Sequence, residues 1–384
     1  MEEWGGTMKI GVEFLADRLG ESGTVGFHRN FIRWMSRYAE KETYHVFVYD
    51  PEYEDYKKYI DQERSVQLIS LGGGPASLRQ RLYDQHVRIP RRYRRLGIER
   101  AFADNIVPVW GSRGIRWIFR VLMTQQFHKE FDPHPGRRVY RSFTTRFAVK
   151  RAYKILPNSR FTMDELRRYC TLREQRVAII GDAFDHEVFH PVDPASVRPS
   201  LEKEFGLKGP FLLQVANYLD HKNPVVSLKT LAELRRDGLD LELVIVGSDP
   251  QGNRQRYLSI ARDLGIGDHL HLLPFQLPEK LRLFYNGAAC LLYPSTWETF
   301  GIPPLEAMAC GLPVVSSNQS AVPEVVGKAG LQIDPRDIRG YAAAVKSILH
   351  DADLRKRLVA AGFARAGDFH WNKVIARMRE EILT

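Results

Sequence analysis

The feature that most constrains the fold of this chain is a repeated alternation between short apolar runs and amphipathic stretches. In the first half, runs rich in β-branched and aromatic residues predict strands at 8–14, 44–49, 66–71, 118–123, 153–156 and 177–180. Between the first two runs, residues 24–38 place aromatic side chains on one stripe, which predicts a helix. Strands that alternate with helices indicate parallel sheets with right-handed crossovers.

A second series of the same kind follows a proline-rich stretch. Residues 185–207 hold Pro191, Pro194 and Pro199 among charged and small residues, which is typical of a linker because proline fixes φ and lacks an N–H group. Further strands are predicted at 211–215, 241–246, 269–272, 290–293, 313–316 and 330–333. We therefore expect two doubly wound α/β domains with a cleft between them, whose ligands bind at the carboxyl ends of the strands.

Length and composition agree with this organisation and exclude several other classes of protein. A chain of 384 residues is long enough for two domains, and 44% hydrophobic with 27% charged residues is typical of globular proteins rather than disordered or fibrous ones. No apolar run approaches the roughly 18 residues of a membrane-spanning helix, and no secretion leader is recognised. Cys170, Cys290 and Cys310 form neither a disulfide framework nor a metal cluster, which predicts a reduced, cytosolic chain without structural zinc.

The most specific segment is YPSTWETFGIPPLEAMACG, at positions 293–311. A strand ends at the tyrosine, a polar loop follows, and a helix is predicted to begin near Pro303 or Pro304, because proline suits the first helical position. The backbone N–H groups around Phe300 and Gly301 then lie at a helix N-terminus, which attracts anions.

Two acidic residues of this segment carry a family resemblance. Glu298 and Glu306 resemble the Glu-x7-Glu signature of retaining glycosyltransferases of family 4, which have the GT-B fold. The similarity continues to Asp337 and, more weakly, covers nearly the whole chain. It implies a nucleotide-sugar donor as substrate, with no cofactor and no metal ion.

The resemblance also implies a domain plan. It places an N-terminal Rossmann-like domain over 7–190, on the acceptor side, and a linker over 191–208. A donor-binding Rossmann-like domain would occupy 209–366 and face the first domain across a cleft. A C-terminal helix over 367–384 would cross back to the first domain.

The resemblance assigns roles to residues of the second domain. Glu298 would contact hydroxyl groups of the donor sugar, and Glu306 would accept hydrogen bonds from the ribose, since a charged acceptor binds a hydroxyl more strongly than a neutral one. Lys222 matches the lysine that neutralises the donor diphosphate. Asn217 stands where the family carries an arginine, so the diphosphate loses one cationic partner. The structural alternatives are a helix-dipole contact for Glu306, a solvated loop position for Glu298 and an ordinary surface lysine at Lys222.

In the first domain, Gly23 and Thr24 resemble the family's glycine-rich loop near the diphosphate, with Thr24 in place of the second glycine. His128 resembles a histidine near the donor sugar and the acceptor, with Lys129 in place of the usual acid. His128, Glu298 and Lys222 are therefore the predicted catalytic residues. A plain turn at Gly23 and a structural role for His128 are the alternatives.

The positive charge is concentrated in one region. Residues 79–168 hold 22 Lys and Arg against seven Asp and Glu, which gives +15, whereas the whole chain carries +10. Between Arg88 and Arg120, arginine clusters stand beside Tyr93, Trp110 and Trp117. Such a surface suits anionic lipid headgroups or an acidic glycan, and a solvated cationic face is the alternative. No nucleic-acid partner is expected, because no stacking or groove-reading motif is present.

These features predict a retaining, metal-independent hexosyltransferase that uses a donor of the GDP-mannose or UDP-glucose class. The acceptor would be a glycan or a lipid-linked sugar, and the protein would act in the cytoplasm or at the inner face of the membrane. Two alternatives stay open: a nucleotide-sugar epimerase on the same fold, and a non-catalytic module that binds a sugar nucleotide or an anionic surface. The departures at Asn217, Thr24 and Lys129 are what keeps the non-catalytic module open as an alternative.

Overall fold

The computed structural model describes residues 7–15, 23–62, 64–74, 77–104, 114–131 and 134–384. The chain divides into two compact units. The first comprises the residues up to Asp182 together with Trp371–Thr384, and the second comprises Ala183–His370. The boundaries thus lie at 182/183 and 370/371, whereas the sequence predicts them at 190 and 366.

In the first unit, parallel strands form one sheet that is flanked by helices. The strands in its described part are β1 Met8–Glu13, β2 Glu42–Val48, β3 Val66–Ser70, β4 Arg100–Asp104, β5 Arg116–Val121 and β6 Lys154–Pro157. The helices there are α1 Gly23–Tyr38, α2 Asp50–Tyr56, α3 Leu78–Tyr83, α4 Ile89–Leu96, α5 Pro135–Arg151, α6 Arg160–Tyr169 and the last helix of the chain, α15 Trp371–Leu383.

The sheet of the first unit has the order β3-β2-β1-β4-β5-β6, and Met8 of β1 pairs with Glu42 of β2. Side chains alternate between the two faces of a strand. Phe14, just beyond β1, packs against Phe27 of α1, whereas Gly11 faces α4. A Cβ atom at residue 11 would lie 2.3 Å from the Tyr93 ring, so glycine permits the close approach of that helix. Helices therefore cover both faces of this sheet.

The second unit, in which every residue is described, repeats the arrangement. Its strands are β7 Phe211–Val215, β8 Glu242–Val246, β9 Leu270–Leu273, β10 Cys290–Tyr293, β11 Val314–Ser317 and β12 Leu331–Ile333. Its helices are α7 Pro194–Phe205, α8 Pro224–Arg236, α9 Arg254–Asp263, α10 Pro278–Gly287, α11 Ile302–Ala309, α12 Val322–Val326, α13 Ile338–His350 and α14 Ala352–Ala366.

The sheet of the second unit has the order β12-β11-β10-β7-β8-β9, again with parallel pairs. Neighbouring residues of one strand enter different cores: Leu213 packs in the core that contains Leu305 of α11, and Leu212 packs in the core that contains Leu228 of α8. Both units thus have the strand order of the Rossmann fold, and the predicted doubly wound α/β class is confirmed.

Two strand assignments in the first unit differ from the prediction. Residues 177–180 form no strand, because only Val177 makes an isolated parallel bridge, to Ile155. The strand β4 is absent from the predicted set, although Phe102 at its centre is fully buried. Its charged ends, Arg100 and Asp104, leave an apolar run of three residues, which is too short to stand out.

The linker predicted at 191–208 is wrong, because this stretch contains α7. Pro194 lies in the first turn, where proline replaces no hydrogen-bonded N–H. Pro199 removes only one hydrogen bond from the helix. Val197 and Leu201 are buried against the rest of the second unit, and this apolar packing holds the helix despite its prolines.

The last helix belongs to the first unit, as the resemblance implies. Trp371 is buried and its ring lies 5.6 Å from that of Phe27. Farther along α15, Arg379 forms an ion pair with Glu42 of β2. The C-terminal segment therefore completes the packing of α1 and the sheet edge.

Candidate functional site

The predicted donor residues of the second unit follow two neighbouring strands. Asn217 and Lys222 come after β7, and Glu298 and Gly301 come after β10. The connections from β7 and β10 lead to opposite sides of the sheet, since β7 pairs onward to β8 and β10 pairs onward to β11. Such a switch point opens a crevice at the carboxyl ends of the strands, where ligands of this fold class bind.

Lys222 and Glu298 form a direct ion pair. The Nζ atom of Lys222 lies 2.8 Å from Oε1 and 2.7 Å from Oε2 of Glu298, and the Tyr293 hydroxyl donates to Oε1 at 2.6 Å. Burial alone would raise the pKa of Glu298, but the Lys222 charge and these hydrogen bonds outweigh it and lower that pKa. The structure therefore holds Glu298 as an anion.

The position of Lys222 depends on the residue that follows it. Asn223 has a positive φ of 55°, which ends the short turn before α8. Its side-chain amide donates to the carbonyl oxygens of Pro294 and Pro335 at 3.2 and 2.8 Å. The loop after β7 is thus fastened to the loop after β10, which brings lysine and glutamate together across 76 residues of sequence.

His221, directly before Lys222, is an uncharged neighbour of the ion pair. Its backbone carbonyl accepts a hydrogen bond from the Thr296 N–H group at 2.8 Å. Burial, together with the nearby Lys222 charge, lowers the pKa of the imidazole to about 4. The ring is therefore neutral at physiological pH, so Lys222 and Glu298 provide the charges.

Glu306 lies on α11 and has a different environment. The Tyr285 hydroxyl of α10 donates to its Oε2 atom at 2.7 Å. Burial raises the pKa of Glu306 to about 7. The hydrogen bond from Tyr285 lowers this pKa, and the nearby charge of Asp185 raises it further. The two acidic residues of the motif therefore differ: Glu298 is paired with a cation, whereas burial favours the protonated form of Glu306.

The start of α11 provides backbone donors rather than side chains. Gly301 has φ of 113° and precedes the first helical residue, Ile302, so the helix begins one residue before the predicted prolines. Pro303 and Pro304 have no N–H group, and the donors at this helix end therefore belong to the residues just before them. The Phe300 ring is buried against Phe369, so only its backbone can reach a ligand.

Asn217 uses its side chain inside the protein. Its Oδ1 atom accepts a hydrogen bond from the Ser248 N–H group, just after β8, at 3.1 Å. The side-chain amide nitrogen keeps its donor capacity, but the residue brings no charge. Its role toward a diphosphate stays a prediction.

The site residues predicted in the first unit lie at the carboxyl ends of its strands. Gly23 and Thr24 form the first turn of α1, and Ser22 before them lies outside the described residues. His128 follows β5 and hydrogen-bonds through Nε2 to Glu165 of α6. Glu165 is buried and also contacts Arg168 at 3.1 Å. These contacts orient the His128 ring, and its catalytic role stays a prediction.

The basic, aromatic region predicted between Arg88 and Arg120 is only partly at the surface: Arg91, Arg94 and Arg95 are exposed, and its binding to an anionic surface stays a prediction. Arg120 is only 1% exposed and pairs with Asp104 and Asp182, and Trp117 on the same strand is also buried. These side chains lie on β5, a strand inside the sheet, where aromatic residues belong to the core. The arginines from 88 to 100 include three that bind backbone carbonyls: Arg88 to Leu71, Arg92 to Ser70 and Arg100 to Ile382. Trp110 and Arg113 lie outside the described residues.

The charge network around Arg120 is absent from the sequence prediction. Its guanidinium stacks 3.5 Å over the Phe27 ring, and Asp104 joins it to His28 at 3.3 Å. Burial lowers the pKa of His28, so this histidine stays neutral. Arg120 is the single charged residue in the otherwise apolar run WIFRV, and this pattern could have predicted that its charge is buried.

Membrane-spanning helices and metal clusters are both absent from the described residues. There, no helix is both long enough and apolar enough to cross a bilayer. In the same residues, no group of three His, Cys, Asp or Glu side chains is arranged to hold a metal ion. The expectation of a reaction without a metal stays a prediction.

Two Rossmann-like units with an acidic pair at a strand switch point define the class of GT-B proteins. The chain is similar to the structure of Anabaena HepE in complex with UDP-glucose, with a TM-score of 0.74 and 14% identity over 97% of this chain and 99% of that one. This likeness establishes the fold.

Sequence comparison identifies a related family. Residues 199–365 match the family of glycosyl transferases group 1. The chain is 32% identical over 256 residues to a D-inositol 3-phosphate glycosyltransferase of Acidothermus cellulolyticus, over 63% of this chain and 55% of the relative. It is 31% identical over 241 residues to O-antigen chain mannosyltransferase B of Escherichia coli, over 62% of each. The chain thus spans roughly three fifths of these relatives. Its second unit thus matches the group 1 glycosyltransferases, and the predicted family resemblance is confirmed.

Proposed function

We propose that the protein is a retaining glycosyltransferase that takes a hexose from a nucleotide-sugar of the UDP-glucose or GDP-mannose class. The acceptor in this proposal is a glycan or a lipid-linked sugar. The observation that carries the proposal is the Lys222–Glu298 ion pair at the switch point of the second sheet, beside the start of α11. The E. coli relative is named as a mannosyltransferase, and the HepE structure contains UDP-glucose, which supports a donor of this class.

The geometry supports a division of labour in donor binding. The diphosphate approaches Lys222 and the backbone N–H groups at the start of α11, because both favour negative charge. Glu298 then exchanges part of its hydrogen bonding with Lys222 for hydroxyl groups of the sugar. Glu306 accepts hydrogen bonds from the ribose once its carboxyl group has lost its proton.

In the proposed reaction, the bond between the anomeric carbon and the diphosphate oxygen breaks, and the acceptor oxygen forms its bond on the same face of the sugar. Negative charge grows on the departing diphosphate, and the acceptor proton moves to one of its oxygens. Lys222 stabilises this charge most strongly in the transition state, which lowers the barrier. Lys222 and the backbone N–H groups are in place before the reaction and take the role that a metal ion could have. The proposal therefore includes turnover in the presence of a chelator.

Hydrolysis of the donor without an acceptor tests the proposal. We expect the full chain to release nucleoside diphosphate slowly from UDP-glucose or GDP-mannose, and Glu298→Gln to lower that rate by about 100-fold, as loss of one preorganised charge contact does. Glu279→Gln, an exposed glutamate on α10, is the matched control and should keep the rate. Tight binding of a nucleotide-sugar without hydrolysis would assign the protein to the non-catalytic binding class instead.

A further inference from the structure

Helix α5 of the first unit presents an exposed apolar pair. Val139 is 66% exposed and Phe143 is 56% exposed, although side chains of this kind are usually buried. The two residues are four positions apart and therefore lie on the same face of the helix. The opposite face, which includes Ala148 and Val149, packs in the core of the first unit, so the exposed orientation is fixed.

The same helix carries only positive charge. Pro135–Arg151 contains no acidic residue. Its cations are Arg137, Arg138, Arg141, Arg146, Lys150 and Arg151. Lys150 and Arg146 follow Phe143 on the exposed side, and Arg137 stands before Val139. One rigid element thus carries an exposed apolar pair, two cations on the same face and further cations around the helix.

This face is also concave. A shallow pocket of about 300 Å3 is lined by Arg138, Val139, Ser142, Phe143 and Arg146. Arg146 donates from Nε to the Tyr169 carbonyl at 3.1 Å and lies over the Phe127 ring, so it contributes its positive charge at this wall together with Arg138. Such charge attracts a phosphate, and the apolar wall suits hydrocarbon beside that phosphate. A phospholipid supplies both groups in the required order.

We infer that α5 docks the protein on an anionic phospholipid surface, with Phe143 and Val139 among the acyl chains and the cations of α5 at the phosphate level. Basic helices with an apolar exposed face bind in this way, by apolar burial and by attraction to anionic lipid. Self-association through this face is opposed by the repulsion of two like-charged helices. The inference goes beyond the proposed function and does not depend on catalysis.

Co-sedimentation of the full chain with lipid vesicles tests this inference. We expect binding to vesicles of equal parts phosphatidylglycerol and phosphatidylcholine, and little binding to phosphatidylcholine alone. High salt should weaken the binding, because it screens the attraction between cations and lipid. The double variant Phe143→Ser with Val139→Ser should lower the partition coefficient at least about tenfold. Arg137→Ser with Lys150→Ser should lower it by about 25-fold, since each cation contributes roughly a factor of five.

Matched variants in the second unit serve as controls. Phe275→Ser replaces another exposed phenylalanine, and Lys356→Ser with Arg357→Ser removes two exposed cations from α14. These controls should bind vesicles as the wild type does, and circular dichroism should show that all variants are folded. The inference is overturned if the wild type ignores anionic vesicles, if the controls lose binding as strongly as the α5 variants, or if the α5 variants only change the oligomeric state. The rate of donor hydrolysis should be the same in the wild type, the α5 variants and the control variants.

Discussion

At the level of single residues, each carboxylate of the motif accepts a hydrogen bond from a buried tyrosine. Tyr293 donates to Glu298, and Tyr285 donates to Glu306. A hydroxyl that donates to a buried carboxylate stabilises the ionised form and fixes the direction of its remaining lone pairs. We therefore expect both tyrosines to act as positioning residues for donor binding.

The first prediction concerns Tyr285→Phe, which deletes only the hydroxyl group. Loss of a hydrogen bond to a charged group should weaken the binding of a nucleoside diphosphate by about tenfold, since such bonds contribute roughly 1.5–3 kcal/mol. Titration calorimetry measures this affinity. A dideoxyribose analogue should lose much less, because in the proposed binding mode Glu306 contacts the ribose hydroxyls.

Tyr341→Phe is the control for this prediction. Tyr341 is buried in the second unit, and within the described residues its hydroxyl has no hydrogen-bond partner. This variant should bind nucleotide as the wild type does. Equal affinity of Tyr285→Phe and wild type for the ribose-containing ligand would show that the hydroxyl has no positioning role.

The second prediction uses the pKa of Glu306, which burial raises to about 7. The folded protein prefers the protonated carboxyl, so this contribution to stability is present below the ordinary glutamate pKa and is lost as the pH rises through about 7. Glu306→Gln is neutral at every pH and should therefore raise the thermal midpoint of the unliganded protein more at about pH 8 than at about pH 5. The groups facing Glu306 are Tyr285, Tyr293, Asp185 and Cys310.

Thermal unfolding by circular dichroism at the two pH values measures this difference. The same variant should bind nucleotide more weakly, because an amide accepts hydrogen bonds less strongly than a carboxylate. A stability difference that does not change with pH would contradict the environment assigned to Glu306.

The sequence predicts the charged residues of the site but not their partners. The candidate site residues Glu298, Glu306 and Lys222 can be predicted from the sequence, because they belong to motifs that follow predicted strands. Tyr285 lies 21 residues before Glu306 on another helix. The pair forms only because α10 packs in the core that contains Leu305. Arg120 is the opposite case, since its charge suggested exposure and tertiary packing buried it.

At the level of secondary-structure elements, the site depends on two short loops with unusual backbones. Asn223 and Gly301 have positive φ, and each directly precedes a helix, α8 and α11 respectively. A side chain at Gly301 would be strained at φ of 113°, and its Cβ would lie 3.5 Å from the Tyr293 ring. The contact with Tyr293 would be an ordinary one, so the loop after β10 needs glycine for its own backbone conformation.

The third prediction is that Gly301→Ala destabilises the protein by about 1–3 kcal/mol, the usual cost of a residue forced into a sparsely populated conformation. Urea unfolding measures this change. Gly136→Ala on α5 should instead be neutral or stabilising by up to about 1 kcal/mol, since nothing lies within 4 Å of its Cβ position and alanine favours a helix. Similar effects of the two substitutions would argue against the strained loop.

Elements with a clear period were predictable, and short or proline-containing ones were not. The strands 211–215 and 290–293 coincide with β7 and β10. The strand β4 is too short and too charged at its ends to be recognised, and α7 is concealed by its prolines. In both cases burial against the rest of the unit, which the local sequence does not reveal, decides the structure.

At the level of the whole molecule, two sheets with the same strand order are built from one chain. The repetition was predictable from the alternation of strands and helices, whereas the unit boundaries depend on which segments pack together. Trp371–Thr384 joins the first unit although 188 residues of the second unit, Ala183–His370, precede it. The candidate donor residues after β7 and β10 lie within the second unit, so the proposed nucleotide binding belongs to this unit.

Calorimetric titration of the full chain with UDP and with GDP tests that function most directly. We predict that one of the two nucleotides binds at a single site, and that Lys222→Ala weakens its binding at least about tenfold, as expected for the loss of a charge-assisted contact. Lys346→Ala, on α13, removes an ion-paired lysine elsewhere in the second unit and should leave the affinity unchanged. Binding of neither nucleotide, or equal affinity of Lys222→Ala and the wild type, would contradict a donor site at Lys222 and Glu298.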